Sequence, residues 1–209
     1  MKRRFSKVLF AIALLFGLTG LPGTVVAAQR DILVLGDSLS AAYGIDAGMG
    51  WVSLLRQRLQ DQGYPYRVIN ASVSGDTTSG GLQRLPQALQ QHHPAILIVE
   101  LGGNDGLRGT PLQVMRGNLR KLVELGRQAG ARVLLVGVRL PPNYGPAYTA
   151  AFEQTYAKVA RETQTPLVPH LLQGVATHRA LMQADGIHPK ADAQERLLDN
   201  VWPRLKPLL

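Results

Sequence analysis

Cysteine is absent from the 209-residue chain, which removes disulfides, thiol chemistry and lipid attachment at a lipobox cysteine from consideration. Aromatic residues are scarce, at 6%, and no run of three or more consecutive basic residues follows the first few positions. A nucleic-acid binder shows clustered cations interleaved with stacking aromatics, so that class finds no support. The metal-site patterns H-x-H and H-E-x-x-H are missing, as is a cluster of carboxylates. Asp37, Asp185 and His188 are the residues that a metal-dependent hydrolase would have to use. G-x-S-x-G, the nucleophile elbow of the α/β-hydrolases, is missing too, since neither Ser38 nor Ser74 sits in it.

What is present begins with an N-terminal segment of its own. Lys2, Arg3, Arg4 and Lys7 precede the apolar stretch Val8 to Leu21, and Val25-Val26-Ala27-Ala28 follows it with small residues. This is the pattern of a secretory signal peptide over residues 1–28, cleaved after Ala28. The stretch is interrupted by Gly17 and Gly20 and falls short of the ~20 residues that a membrane span requires. A periplasmic or secreted protein is therefore expected, with residues 29–209 as one domain and no membrane span once the segment is removed. The formal charge of +9 loses those four cations and no acid, leaving +5 spread along the remaining chain.

In that domain, short apolar or β-branched runs alternate with amphipathic ones. Ile32 to Leu35, Arg67 to Asn70, Ala95 to Leu101, Arg132 to Val138 and Pro166 to Val168 read as strands. Between and after them, helices are expected over Trp51–Gln62, from Thr77 or Thr78 to Gln91, Pro111–Gln128, Tyr148–Thr163 and Pro189–Leu205. The run AILIVEL has the continuous apolar character of a central parallel strand covered on both faces. Alternation of this kind predicts a three-layer α/β/α domain with right-handed crossovers.

Four loops hold residue types that fit one job. Ser38 follows the first strand in Gly36-Asp37-Ser38, Gly75 follows the second, Asn104 follows the third, and Asp185-Gly186-Ile187-His188 precedes the last helix. The carboxyl edge of an open α/β sheet is where ligands bind. Acyl transfer needs a nucleophile, a base, a carboxylate that fixes the tautomer of the base, and donors for the oxyanion. Ser38, His188 and Asp185 suit the first three roles. The Asn104 side chain and the Ser38 and Gly75 amides suit the last. Each residue has a plainer reading: Ser38 as a turn or cap, Gly75 as a positive-φ position, Asn104-Asp105 as a helix cap, His188 as a cap before Pro189. Their order and shared position at strand ends set the combination apart.

The blocks Gly36-Asp37-Ser38-Leu39-Ser40, Ser74-Gly75-Asp76-Thr77, Gly103-Asn104-Asp105 and Asp185-Gly186-Ile187-His188-Pro189 resemble those of the SGNH (GDSL) hydrolases in content, order and spacing. The stretches Val99 to Gly109 and Arg139 to Gly145 resemble the branch of periplasmic acyl-CoA thioesterases/lysophospholipases, also described as arylesterases. The resemblance implies a flavodoxin-like sheet of five parallel strands in the order 2-1-3-4-5. It further implies Ser38 as nucleophile, His188 as base, Asp185 as its orienter, and Ser38, Gly75 and Asn104 as oxyanion donors. It also implies a loop near Asp105 to Thr110 that moves when an acyl chain binds. No metal or organic cofactor is expected. The expected partner is a small-molecule acyl ester or thioester, and the expected state is a monomer. Leu107, Pro141, Tyr144 and Tyr148 are the expected lining of an acyl groove. The rival readings are a carbohydrate acetyl-esterase and a non-catalytic lipid- or carbohydrate-binding protein on the same fold. Stacking aromatics would favour the acetyl-esterase, but Trp51 and Trp202 fall on apolar helix faces.

Overall fold

Hydrophobic alternation resolves into five strands in the computed structural model, which describes residues 30–209; the expected signal peptide lies outside the described residues. The strands are β1 (Arg30–Gly36), β2 (Tyr66–Asn70), β3 (Ile96–Glu100), β4 (Arg132–Val136) and β5 (Leu167–Val168). All pair in parallel, in the order β2-β1-β3-β4-β5. Ile32 lies between Val68 and Ile96, and Gly36 is level with Glu100. β3 is buried at every position, whereas edge strand β2 exposes Arg67 and Asn70. Central strands covered on both faces need this continuous apolar character, and edge strands do not.

Parallel strands require crossovers, and helices supply them. They are α1 (Trp51–Asp61), α2 (Thr78–His92), a short α3 (Gly103–Leu107), α4 (Leu112–Gln128) and α5 (Pro146–Glu162), with α6 (Gln194–Leu205) following β5. α1 packs with α6, while α2, α4 and α5 pack in a row, giving the outer layers. α1 turns Trp51, Leu55 and Leu59 wholly inward, and each such side chain contributes ~1.5–3 kcal/mol by burial. Trp202 is only partly buried, against Arg58 and Tyr64.

Several boundaries shift by a residue or two from the sequence expectation, and three differences bear on the helices. The last helix starts at Gln194, after a 3₁₀ turn over Ala191–Ala193, and not at Pro189. α5 starts at Pro146, two residues earlier than expected, because proline suits the first helical turn. α3 was not expected at all. Its sequence, GNDGL, reads as a turn, yet the glycine before it permits the start: Gly102 has φ 118°, and a Cβ there would come within 2.5 Å of the Tyr156 hydroxyl.

Candidate active site

β1 ends at Gly36, and the chain then makes a helical turn. The Ala41 amide donates to the Asp37 carbonyl (2.9 Å) and the Tyr43 amide to the Ser38 carbonyl (3.1 Å). The Asp37 carboxylate accepts from the Leu39 amide at 3.0 Å, so the turn folds around Ser38. From the neighbouring edge, Asn70 donates to the Ser40 carbonyl at 2.8 Å.

The chain between β5 and α6 delivers the partners of Ser38. His188 Nε2 lies 2.9 Å from Ser38 Oγ, and His188 Nδ1 lies 2.7 Å from Asp185 Oδ2. The other Asp185 oxygen accepts from the Ile187 and His188 amides at 2.9 and 3.0 Å. Slight burial works to raise the Asp185 carboxyl, but these hydrogen bonds and the His188 ring outweigh it and bring it down to about 2. An ionised Asp185 accepts a hydrogen bond from Nδ1–H and leaves Nε2 to accept one from the serine hydroxyl. The Tyr43 ring packs on the imidazole, with centroids 4.5 Å apart. Gln183 ties the two loops together: its side chain donates to the carbonyls of Tyr43 (2.8 Å) and Pro189 (3.1 Å), and its amide to that of His188 (2.7 Å). Sequence reading passed over both Tyr43 and Gln183, because neither residue type signals a clamp.

On the other side of Ser38, α3 lifts Asn104 to the sheet edge. Its Nδ2 donates to Asp37 Oδ2 at 3.1 Å, the one hydrogen bond made by that amide among the described residues. α3 is itself tethered. Asp105 is buried and accepts from the Thr78 amide (2.8 Å) and hydroxyl (2.6 Å) at the start of α2. Gly75 has φ 80°, a conformation that glycine adopts without strain, and Arg108 donates to its carbonyl at 2.9 Å. Among the described residues, neither the Ser38 nor the Gly75 amide donates a hydrogen bond within the chain. Ser38 and Gly75 line the same groove as Asn104 and His188. Asp37, weighed above as a metal ligand beside Asp185 and His188, instead turns beneath Asn104. Among the described residues, no group of three or more acidic or histidine side chains is placed to hold a metal.

The groove has a volume of about 1050 Å³ and runs over the strand ends from Ser38 and His188 past Leu107, Leu140 and Pro141 to Leu172. Leu107 and Pro141, expected in its wall, are there. Tyr144 and Tyr148 are not among its lining residues. Their hydroxyls donate to the carbonyls of Leu107 (3.1 Å) and Gly106 (3.2 Å), so they brace the end of α3. The groove's lining also includes a polar pair, Arg139 making a two-pronged contact to Glu153 at 2.7 and 3.1 Å.

Residues 34–196 match the model of the GDSL-like lipase/acylhydrolase family. The chain belongs to that family. It is 55% identical over 186 residues to Esterase TesA of Pseudomonas aeruginosa PAO1, over 89% of this chain and 92% of that protein. It is 45% identical over 183 residues to Thioesterase 1/protease 1/lysophospholipase L1 of Escherichia coli K12, over 88% of this chain and 86% of that one. The crystal structure of TesA shares its fold with a TM-score of 0.85 at 56% identity, covering 86% of this chain and 100% of that one. As a GDSL-family acylhydrolase, the chain is a serine ester hydrolase. Among the described residues, no helix is long and apolar enough to cross a membrane.

Proposed function

We propose that this GDSL-family hydrolase cleaves acyl esters and thioesters of small molecules through an acyl intermediate on Ser38. The observation that carries the reading is the continuous line from Asp185 to His188 to Ser38, at 2.7 and 2.9 Å, opening on an apolar groove. In the first half-reaction Ser38 Oγ attacks the acyl carbonyl and His188 Nε2 takes its proton. The tetrahedral oxyanion is held by the Ser38 and Gly75 amides and the Asn104 side chain, and one such donor is typically worth ~10²–10³ in turnover. His188 then protonates the departing alcohol or thiol, and water repeats the sequence on the acyl-enzyme. Asp185 stays ionised and holds the tautomer. These steps need no metal or organic cofactor.

Substrate class follows from the groove and the relatives. Leu107, Leu140, Pro141, Leu172 and Met182 offer an acyl chain an apolar path, and the similar proteins are named esterase and thioesterase/lysophospholipase. We place the enzyme in the periplasm or outside the cell, on the strength of the pattern of residues 1–28, and take it to act as a monomer. The test is hydrolysis of p-nitrophenyl esters from acetyl to palmitoyl by the purified protein beside Ser38→Ala. The expected result is activity lost in the variant, with kcat/KM rising beyond acetyl. Equal rates in the two proteins would overturn the serine assignment. A preference for acetyl alone would overturn the groove assignment and favour an acetyl-esterase.

A further inference from the structure

Beneath Asn104 lies an ionisable group that the chemistry above does not use. Glu100 closes β3 and is wholly buried. In register with it on β1 is Gly36, where a Cβ would stand 2.9 Å from Glu100 Oε2 and 2.7 Å from the Ser40 Cβ. Only glycine leaves the carboxyl room there. Oε2 accepts from the Ser40 hydroxyl at 2.7 Å and distantly from the Asp37 amide at 3.4 Å. Oε1 is buried with no donor. Among the described residues, no cation pairs with Glu100, and the nearby Tyr156 hydroxyl is spent on the Leu101 carbonyl at 3.0 Å. Asp37, itself 2% exposed, follows Gly36 directly and turns its amide to the Glu100 carboxyl, so two buried acids adjoin there.

Two adjoining buried carboxyls do not both ionise. Asp37 is the better anion, because it accepts from the Leu39 amide at 3.0 Å and from Asn104 at 3.1 Å. A carboxylic acid, unlike a carboxylate, has a hydrogen to give, and that hydrogen answers the orphaned oxygen. We propose that Glu100 is a neutral carboxylic acid that donates to the Asp37 carboxylate and, through it, holds the Asn104 amide in its oxyanion-binding orientation. Glu100 is then a positioning residue for the reaction. Asn104 lines the groove and commits one N–H to Asp37, and because the amide is planar a fixed Asp37 also fixes the direction of the second N–H. Burial, and after it the neighbouring Asp37 charge, push Glu100 well above the usual glutamate range, while burial brings Asp37 to about 6. Both shifts agree with one proton held on the glutamate.

The inference rests on the Ser38 mechanism, and the experiment separates the two. Infrared difference spectra between wild type and Glu100→Gln, both at neutral pH, read the proton directly and need no turnover. The C=O stretch of a protonated carboxyl is expected in wild type and in Ser38→Ala, and missing in Glu100→Gln. The amide of glutamine supplies the same donor to Asp37 and the same acceptor to Ser40, so Glu100→Gln is expected to keep kcat within about threefold of wild type. Glu100→Leu, which fits the space but donates nothing, is expected to lose about ten- to a hundredfold in kcat with KM little changed, a part of what losing an oxyanion donor costs. A band that persists in Glu100→Gln, a loss in Glu100→Gln equal to that in Glu100→Leu, or full kcat in a folded Glu100→Leu would each overturn the proposal. If Glu100→Leu does not fold, the infrared band and Glu100→Gln still decide it. Failure of the Ser38 mechanism shows separately, as undiminished hydrolysis in Ser38→Ala.

Discussion

Acidic side chains flank Ser38 on two sides, in opposite environments. Asp185 sits in the loop before α6 with 39% of its side chain exposed, and hydrogen bonds from two amides and an imidazole keep it ionised, down to about 2. Asp37 and Glu100 lie under the sheet edge, 2% and 0% exposed, and burial moves both upward. The same functional group therefore has two uses. On the wet side a carboxylate orients a base that must gain and lose a proton; on the dry side a carboxyl pair sharing one proton locks an amide in place. Hydrogen-bond supply, rather than residue type, assigns the roles.

The largest effect is expected on the wet side. In Asp185→Asn the amide would donate to His188 Nδ1 and leave the proton on Nε2, the wrong tautomer for accepting from Ser38. A fall of ~10³–10⁴ in kcat with the fold intact is expected, on the scale seen when a triad aspartate becomes asparagine. Steady-state kinetics beside a melting curve measure it, and a loss below tenfold would detach Asp185 from the mechanism.

The smallest effect sharpens the contrast through stability. For Asp185, a lowered carboxyl adds stability above its ordinary value of 3.8 that is lost as the pH falls toward 2. For Glu100 the sign reverses. Above its ordinary value of 4.5 the unfolded chain ionises while the folded one keeps its proton, so rising pH favours unfolding until the raised value is passed. The slope is at most about 1.4 kcal/mol per pH unit for one group. Glu100→Gln has no such proton to hold. Its melting temperature is expected to gain on that of wild type as the pH rises from 5 to 8, and a constant difference would mean that Glu100 is already ionised in the folded protein.

Much of this arrangement was legible in the sequence, and what was not has physical reasons. The central strands stood out because parallel strands covered on both faces must be uniformly apolar, as in AILIVEL, whereas β2 and β5 at the sheet edges showed only as short runs around Val68-Ile69 and Leu167-Val168. Ser38, Gly75, Asn104, Asp185 and His188 stood out because each lies just past such a run or just before the last helix. α3 was hidden by its composition: a five-residue helix with glycines at 103 and 106 has no periodicity to read, and its Asp105, 27 residues along the chain from Thr78, helps to cap α2. Tyr144 was expected in the groove because it is aromatic and follows β4, but it is not among the lining residues and its hydroxyl is committed to the Leu107 carbonyl. Glu100 carried a signal that was passed over. An acid inside a strand buried on both faces has no route to water, so it must find a partner or a proton, and Asp37 lies one residue past Gly36, its neighbour on β1.

The most direct test of the central claim is to label the enzyme with a p-nitrophenyl phosphonate ester and locate the adduct by mass spectrometry. Such a reagent phosphonylates a serine only if that serine is activated as a nucleophile. One adduct per chain on Ser38 is expected, with p-nitrophenol released in equal amount, and none is expected in His188→Ala. An adduct on another residue, or equal labelling when His188 is absent, would contradict the account.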